Sequence, residues 1–250
     1  GIFMALDEGD LASVAEAGFN TVVLPSRVAS TDMMETAQKL GLAAIVSSAN
    51  TERDFWQTQM QRHAGEPNLI GWYVLQRPET EAPPAPPALM DAVYGMVAEL
   101  DPRHPVCLAV GSLSRLEHYS SFCDILMPWN EPEPPGDLRA VDVLLTRAQE
   151  LCAHRRPIWP LIQITGAAYA TDSRLDPKGN GRPPTADEYR CMAYQSLARG
   201  ANGLFSFAYR VAASRTQLDY LAPRDAPDLW QGVKRVNQEL RALTPVLLEG

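Results

Sequence analysis

Lysine is scarce in this 250-residue chain, which holds only Lys39, Lys178 and Lys234. Basic charge is short overall, with 22 Lys and Arg against 30 Asp and Glu and a net charge of −8. Nucleic acid is therefore not expected as a partner, because its binding depends on basic side chains neutralising phosphates. Histidine is limited to His63, His104, His118 and His154. Cys107, Cys123, Cys152 and Cys191 are widely spread, with no CxxC pair and no nearby histidine, so buried free thiols are expected rather than a zinc site. No apolar run approaches the roughly 20 residues of a membrane span, and no membrane partner is expected. No signal-peptide pattern is seen, but the chain opens at Gly1 in a strand-like run, which leaves the compartment open.

What is present is a globular balance, 46% hydrophobic and 21% charged, in a length that suits one (β/α)8 barrel. Short apolar runs alternate with segments of helical period along the whole chain, the pattern of a parallel sheet with crossover helices. Eight strands are expected: Ile2 to Leu6, Thr21 to Leu24, Ala43 to Ser47, Ile70 to Leu75, Val106 to Val110, Ile125 to Pro128, Ile158 to Ile164 and Gly203 to Phe207. Gly18, Gly41 and Gly200 stand where helices should stop, and Thr185 with Glu188 reads as a capping box. An open doubly wound sheet would bring a glycine-rich phosphate loop after its first strand, where this chain has Leu6-Asp7-Glu8-Gly9-Asp10. The expected fold is thus an α/β (β/α)8 TIM barrel, a single domain over residues 1–250. Three connections at the C-terminal ends of strands are long, Pro78 to Pro87, Gly166 to Pro184 and Tyr209 to Pro227, and barrel enzymes build their sites from such loops.

Placing side chains on that barrel removes several chemistries. The four histidines fall in helices or just before strands, away from the strand ends where a metal-dependent hydrolase gathers imidazoles, so no metal is expected. The lysines fall on helices or in a loop, which disfavours a Schiff-base aldolase. Gly200 and Gly203 precede the eighth strand rather than following it, which disfavours a phosphate site. No cofactor is expected. The strand ends carry Asp7, Glu8, Ser26, Arg27, Asn50, Tyr73, Gln76, Arg77, Glu79, Trp129, Asn130, Glu131, Gln163, Tyr169, Asp172, Tyr209 and Arg210. Such a set suits sugars, because aromatic faces cover C–H surfaces while amides, arginines and carboxylates match hydroxyls.

Several stretches carry a resemblance over nearly the whole chain: Ala17-Gly18-Phe19-Asn20-Thr21-Val22, Asn68-Leu69-Ile70-Gly71-Trp72-Tyr73, Leu100 to Val106, Arg156-Pro157-Ile158-Trp159 with Gln163, and Arg199 to Leu204. In their order and spacing the chain resembles bacterial (β/α)8 barrels related to the retaining glycoside hydrolases. In that family the Gly-Trp-Tyr run leads into Asp-Glu-Pro, whose glutamate is the general acid. Here the triplet reads Gln76-Arg77-Pro78, and the seventh strand, where relatives carry a nucleophilic glutamate, ends in Gln163-Ile164-Thr165. The resemblance implies an extracellular or periplasmic setting and a β-sandwich following the barrel in a larger multidomain protein.

Glycoside hydrolysis ordinarily uses two carboxyl groups, roughly 5–5.5 Å apart for retention or 6.5–9.5 Å for inversion. The substitute candidates are Glu79 and Glu131, with Tyr73, Gln76, Arg77, Trp129, Asn130, Gln163 and Tyr209 expected to bind substrate. Trp72 and Tyr73 face opposite ways, one into the barrel and one into the helical layer. An Arg77 ion pair with either glutamate would hold that carboxylate ionised and favour binding over acid catalysis. Two functions follow as expectations: a glycoside hydrolase-like barrel with relocated carboxylates, or a pseudoenzyme that binds carbohydrate or serves as a structural module.

Overall fold

A computed structural model describes residues 1–130, 137–153, 155–167, 182–210, 220–221 and 226–249. The barrel strands are β1 (Ile2–Phe3), β2 (Thr21–Pro25), β3 (Ala43–Ser48), β4 (Leu69–Val74), β5 (Val106–Val110), β6 (Ile125–Asn130), β7 (Leu161–Gln163) and β9 (Phe205–Phe207). They close in that order into a parallel barrel, with β9 paired to β1. Around it run α1 (Glu8–Glu16), α2 (Thr31–Lys39), α3 (Arg53–His63), α4 (Pro87–Leu100), α5 (Leu116–Tyr119), α6 (Arg139–Cys152), α7 (Ala186–Ala198) and α8 (Pro227–Glu249). A two-stranded antiparallel ribbon, β8 (Gly166–Ala167) with β10 (Tyr220–Leu221), sits outside the barrel sheet.

Strand alternation divides the core into two layers. Phe3, Val23, Ile45, Tyr73, Cys107, Met127, Trp129, Leu161 and Phe205 fill the barrel, while Val22, Leu24, Val46, Trp72, Leu108, Leu126 and Ile162 meet the helices. Each inward residue is followed by an outward one because the side-chain period of a strand is two. The strand boundaries differ most from expectation at β1 and in the seventh run. β1 stops at Phe3 because Met4 takes a left-handed backbone, φ 67°, and the Leu6 N–H bonds the Asp10 carboxylate instead of a neighbouring strand. In the seventh run Ile158 makes only an isolated bridge to Leu126. Pro157 and Pro160 have no N–H to give to a ladder.

Helix punctuation follows the sequence closely. Gly18, Gly41 and Gly200 have φ of 85°, 72° and 77°, the left-handed conformation that ends helices and that glycine enters without a side-chain clash. Thr185 and Glu188 form the full capping box on α7. Arg182 grips Glu188 through two 2.7 Å contacts and, with the Thr185 N–H, holds that carboxyl down at about 2 although its partial burial opposes this.

The last turn of α3 carries His63, fully buried, with neither ring nitrogen in a well-formed hydrogen bond. Burial lowers its pKa, and the charge of Arg62 lowers it further against a weaker opposing contact from the Ala29 backbone. A histidine depressed in the folded state contributes stability that is whole above the unfolded value near 6.5 and is lost as pH falls toward the folded value. Urea unfolding should therefore show stability falling below pH 6.5 with a slope of up to about 1.4 kcal/mol per pH unit from this group. His63→Leu should flatten that part of the profile, and an unchanged profile in the variant would remove His63 as its source.

Candidate functional site

At the end of β4 the chain reverses twice. Leu75 and Arg77 both take left-handed backbone, φ 44° and 50°, which costs a non-glycine residue about 1–2 kcal/mol, and Pro78–Thr80 form one 3₁₀ turn. Gln76 is left exposed, while the Glu79 side chain turns inward and is 3% exposed. Strained backbone of this kind concentrates at functional positions. Glu79 Oε1 accepts a hydrogen bond from the Gly111 N–H, just past β5, at 2.6 Å. Arg77 Nε lies 3.6 Å from the same oxygen. The Arg77 guanidinium also covers Trp129, 5.0 Å from its ring centroid, within cation–π range.

Below this pair an aromatic floor crosses the barrel. Tyr73 meets Phe3 edge-on at 5.1 Å, Phe3 meets Phe207 at 5.9 Å, and Phe207 meets Trp129 at 4.3 Å. Gln163 ends β7 beside Phe207, with which it pairs, and its Nε2 donates to the Thr165 carbonyl at 2.7 Å. Burial raises the Tyr73 pKa and the Glu79 carboxylate raises it further, with Arg77 opposing weakly, so Tyr73 presents a neutral hydroxyl. Among the described residues, Tyr73 Oη, Glu79 Oε2, Trp129 Nε1 and Gln163 Oε1 are buried and make no hydrogen bond.

At the ends of β1 and β9 the charges are already used. Asp7 caps α1 by accepting from the Asp10 N–H at 2.8 Å. Arg210 reaches both carboxylates, 3.2 Å to Asp7 and 3.4 Å to Asp10. Burial raises the Asp10 pKa, more than the Leu6 N–H and Arg210 lower it, and Asp7 adds to the rise. These carboxylates hold the β1 turn and Arg210 rather than standing open to a ligand.

Of the residues expected to form the site, Tyr73, Arg77, Glu79, Trp129 and Gln163 are gathered at the C-terminal end of the barrel. Gln76 points to solvent. Tyr209 does not join them: its ring packs on Trp230 of α8, 4.9 Å between centroids, in the layer between barrel and helices. Alternation breaks after Phe207, where Ala208 takes the interior position that strict alternation would leave to Tyr209. Asn130 belongs to β6 by its backbone, paired with Ile162, and its side chain is outside the described set. Glu131, Tyr169 and Asp172 also lie outside the described residues. His63, His104 and His118 lie on α3, before β5 and on α5, and among the described residues no group of three His, Cys, Asp or Glu is arranged for a metal.

Gly111 is a member of the site that sequence reasoning missed. A β-carbon there would lie 2.9 Å from the Trp129 carbonyl and 3.2 Å from two Arg77 nitrogens. A glycine directly after a strand, at the barrel end, was the available signal. Gly111→Ala is expected to destabilise the protein by about 1–3 kcal/mol through overpacking and to displace Arg77 from Trp129. Urea unfolding together with indole fluorescence checks both, and a variant as stable as the parent would mean that this contact relaxes freely.

A cavity of about 390 Å3 opens at the opposite end of the barrel, lined by Phe19, Leu204, Leu240 and Leu247 among others. Ligand chemistry in this fold belongs to the C-terminal strand ends, where the Glu79 cluster lies, and that cluster is the better candidate.

Comparison with known proteins adds to this at the level of fold. No family model matches the chain, and no curated protein matches it. Solved structures do. A Halorubrum lacusprofundi β-galactosidase superposes with a TM-score of 0.69 at 13% identity, over 95% of this chain and 57% of that one. A Bacteroides thetaiotaomicron protein provisionally assigned as an α-L-fucosidase gives 0.66 at 12% identity, over 95% and 92%. A β-galacturonidase of Eisenbergiella tayi gives 0.64 at 15% identity, over 93% and 47%. The chain thus spans about half the length of the galactosidase and the galacturonidase. It has the closed (β/α)8 barrel fold of these glycoside-hydrolase structures, and at these identities the likeness is one of fold.

Proposed function

We propose that this chain is a carbohydrate-binding barrel of the glycoside-hydrolase fold that does not cleave glycosidic bonds. One observation carries the reading: the Arg77 guanidinium lies 3.6 Å from Glu79 and over the Trp129 ring, in the space where an acid and its substrate would meet. Glu79 Oε1 is further engaged by the Gly111 N–H, so that oxygen is committed as an acceptor within the turn. Hydrolysis needs a second carboxyl at a set separation, and Gln163 stands at the β7 end. The aromatic floor and the amide and hydroxyl groups around it support a sugar ligand, since they offer a C–H surface and hydroxyl partners together.

A second reading, hydrolysis by Glu79 with Glu131, is supported by the inward aim of Glu79 and its unpaired Oε2. Purified protein incubated with a panel of aryl glycosides and oligosaccharides separates the two, with product release and thermal shift read together. Thermal shifts without turnover are expected, because a ligand that binds only the folded state raises its stability. Turnover that disappears in Glu79→Gln or Glu131→Gln would establish a hydrolase instead.

A further inference from the structure

Resting on the carbohydrate reading above, we propose that the barrel mouth takes an uncharged sugar ring and that Arg77 is the cover that swings aside to admit it. The unpaired atoms set the ligand's chemistry. Gln163 Oε1 is a fixed acceptor, because the amide nitrogen of the same side chain is committed to the Thr165 carbonyl. Glu79 Oε2 is the second acceptor, the open oxygen of a carboxylate already tied to Gly111 and Arg77 through Oε1. Trp129 Nε1 is a fixed donor, and Tyr73 Oη serves as either. Sugar hydroxyls both donate and accept, so neighbouring hydroxyls of one ring can donate to Glu79 and Gln163 while accepting from Trp129. A carboxylate on the ring would add an acceptor-only group in place of a hydroxyl, and a negative charge beside Glu79, where like charges oppose binding.

Arg77 explains why these atoms are closed off. Its guanidinium sits on the Trp129 face that a sugar's C–H surface would use and against the carboxylate that a hydroxyl would reach. The side chain is 30% exposed, far more than the 3% of Glu79, so it is the member of the pair that already reaches solvent. Buried polar groups without partners are unfavourable; a ring that enters as Arg77 leaves satisfies Glu79 Oε2, Gln163 Oε1 and Trp129 Nε1 together.

Calorimetric titration of the wild type, Arg77→Ala and Arg77→Met with methyl glucoside, methyl galactoside and methyl glucuronide tests this. Methionine keeps the apolar stem without the guanidinium that covers Trp129, which guards against a misfolded alanine variant. The expected result is binding of a neutral glycoside in preference to the glucuronide, and affinity for that neutral ring raised on the order of tenfold in either variant. A wild type that prefers the glucuronide and loses it in both variants would make Arg77 a carboxylate ligand and overturn the proposal while leaving the carbohydrate reading standing. Neutral binding that neither variant strengthens would overturn Arg77 as a cover. No binding of any glycoside by wild type or variants would bring down the carbohydrate reading itself.

Discussion

Asp101→Ala is expected to destabilise the protein by about 3–5 kcal/mol, the range for removing one partner of a buried charged network, and to lower its melting temperature by roughly 6–20 °C. Asp101 follows α4 and its side chain is almost fully buried. It accepts hydrogen bonds from Trp72 Nε1 at 3.0 Å and the Arg103 N–H at 3.2 Å, and His104 Nδ1 lies 2.7 Å away. Trp72 belongs to β4 and His104 to the turn into β5, so one carboxylate ties two adjacent barrel strands to the helix between them. Truncation leaves a buried indole N–H without an acceptor. Burial alone would raise the Asp101 pKa, but the bonds from His104, Trp72 and the Arg103 backbone outweigh it and the net shift is downward. With the folded value depressed, the carboxylate's contribution is whole above the unfolded pKa near 3.8 and is lost as pH falls below it through the folded value. Asp101→Asn, which keeps one acceptor and the shape, should lose less. Urea unfolding at neutral pH decides the matter; a loss under about 1 kcal/mol in the alanine variant would reduce the network to surface value.

The barrel was legible because its signal is repeated eight times and each repeat is a period-2 run that must bury one face inside and one outside. The Trp72 and Tyr73 pair illustrates it: alternation demands that they part, and Trp72 goes to Asp101 while Tyr73 joins Phe3 in the barrel. Strand ends were less legible, since β1 and β7 are cut short by local events, a left-handed Met4 and the prolines around Trp159. Trp129 and Gln163 could be placed at the mouth because they lie at or next to the ends of their strands. The pairing of Arg77 with Glu79 was one of two expected, but the turn that brings it about was not readable. It depends on left-handed backbone at Leu75 and Arg77, and neither residue type announces that conformation as glycine would. Tyr209 was misplaced for the complementary reason, alternation carried one residue past the point where the strand keeps it.

Glu79 should decide ligand affinity more than any other side chain of the mouth. Hydrogen bonds to charged groups contribute about 1.5–3 kcal/mol, so Glu79→Gln is expected to weaken binding of the preferred neutral glycoside by roughly 10- to 150-fold. The substitution is close to isosteric, and the glutamine carbonyl can still accept the Gly111 N–H that now bonds Oε1 at 2.6 Å. With the carbonyl held there, the amide NH2 takes the position of Oε2, and a donor stands where the unpaired acceptor was. A sugar hydroxyl that donated to the carboxylate then has to turn and accept from the amide, which leaves its own O–H without the acceptor that Glu79 Oε2 supplied. Glu79→Leu removes both oxygens, leaves Gly111 without an acceptor and takes the carboxylate from beside Arg77, so it should lose stability as well as affinity. The pair of variants therefore separates the roles: affinity lost in glutamine with unfolding free energy held within about 1 kcal/mol marks a ligand contact, whereas equal affinity in glutamine and wild type would assign Glu79 to holding the β4 turn against β5 and nothing more.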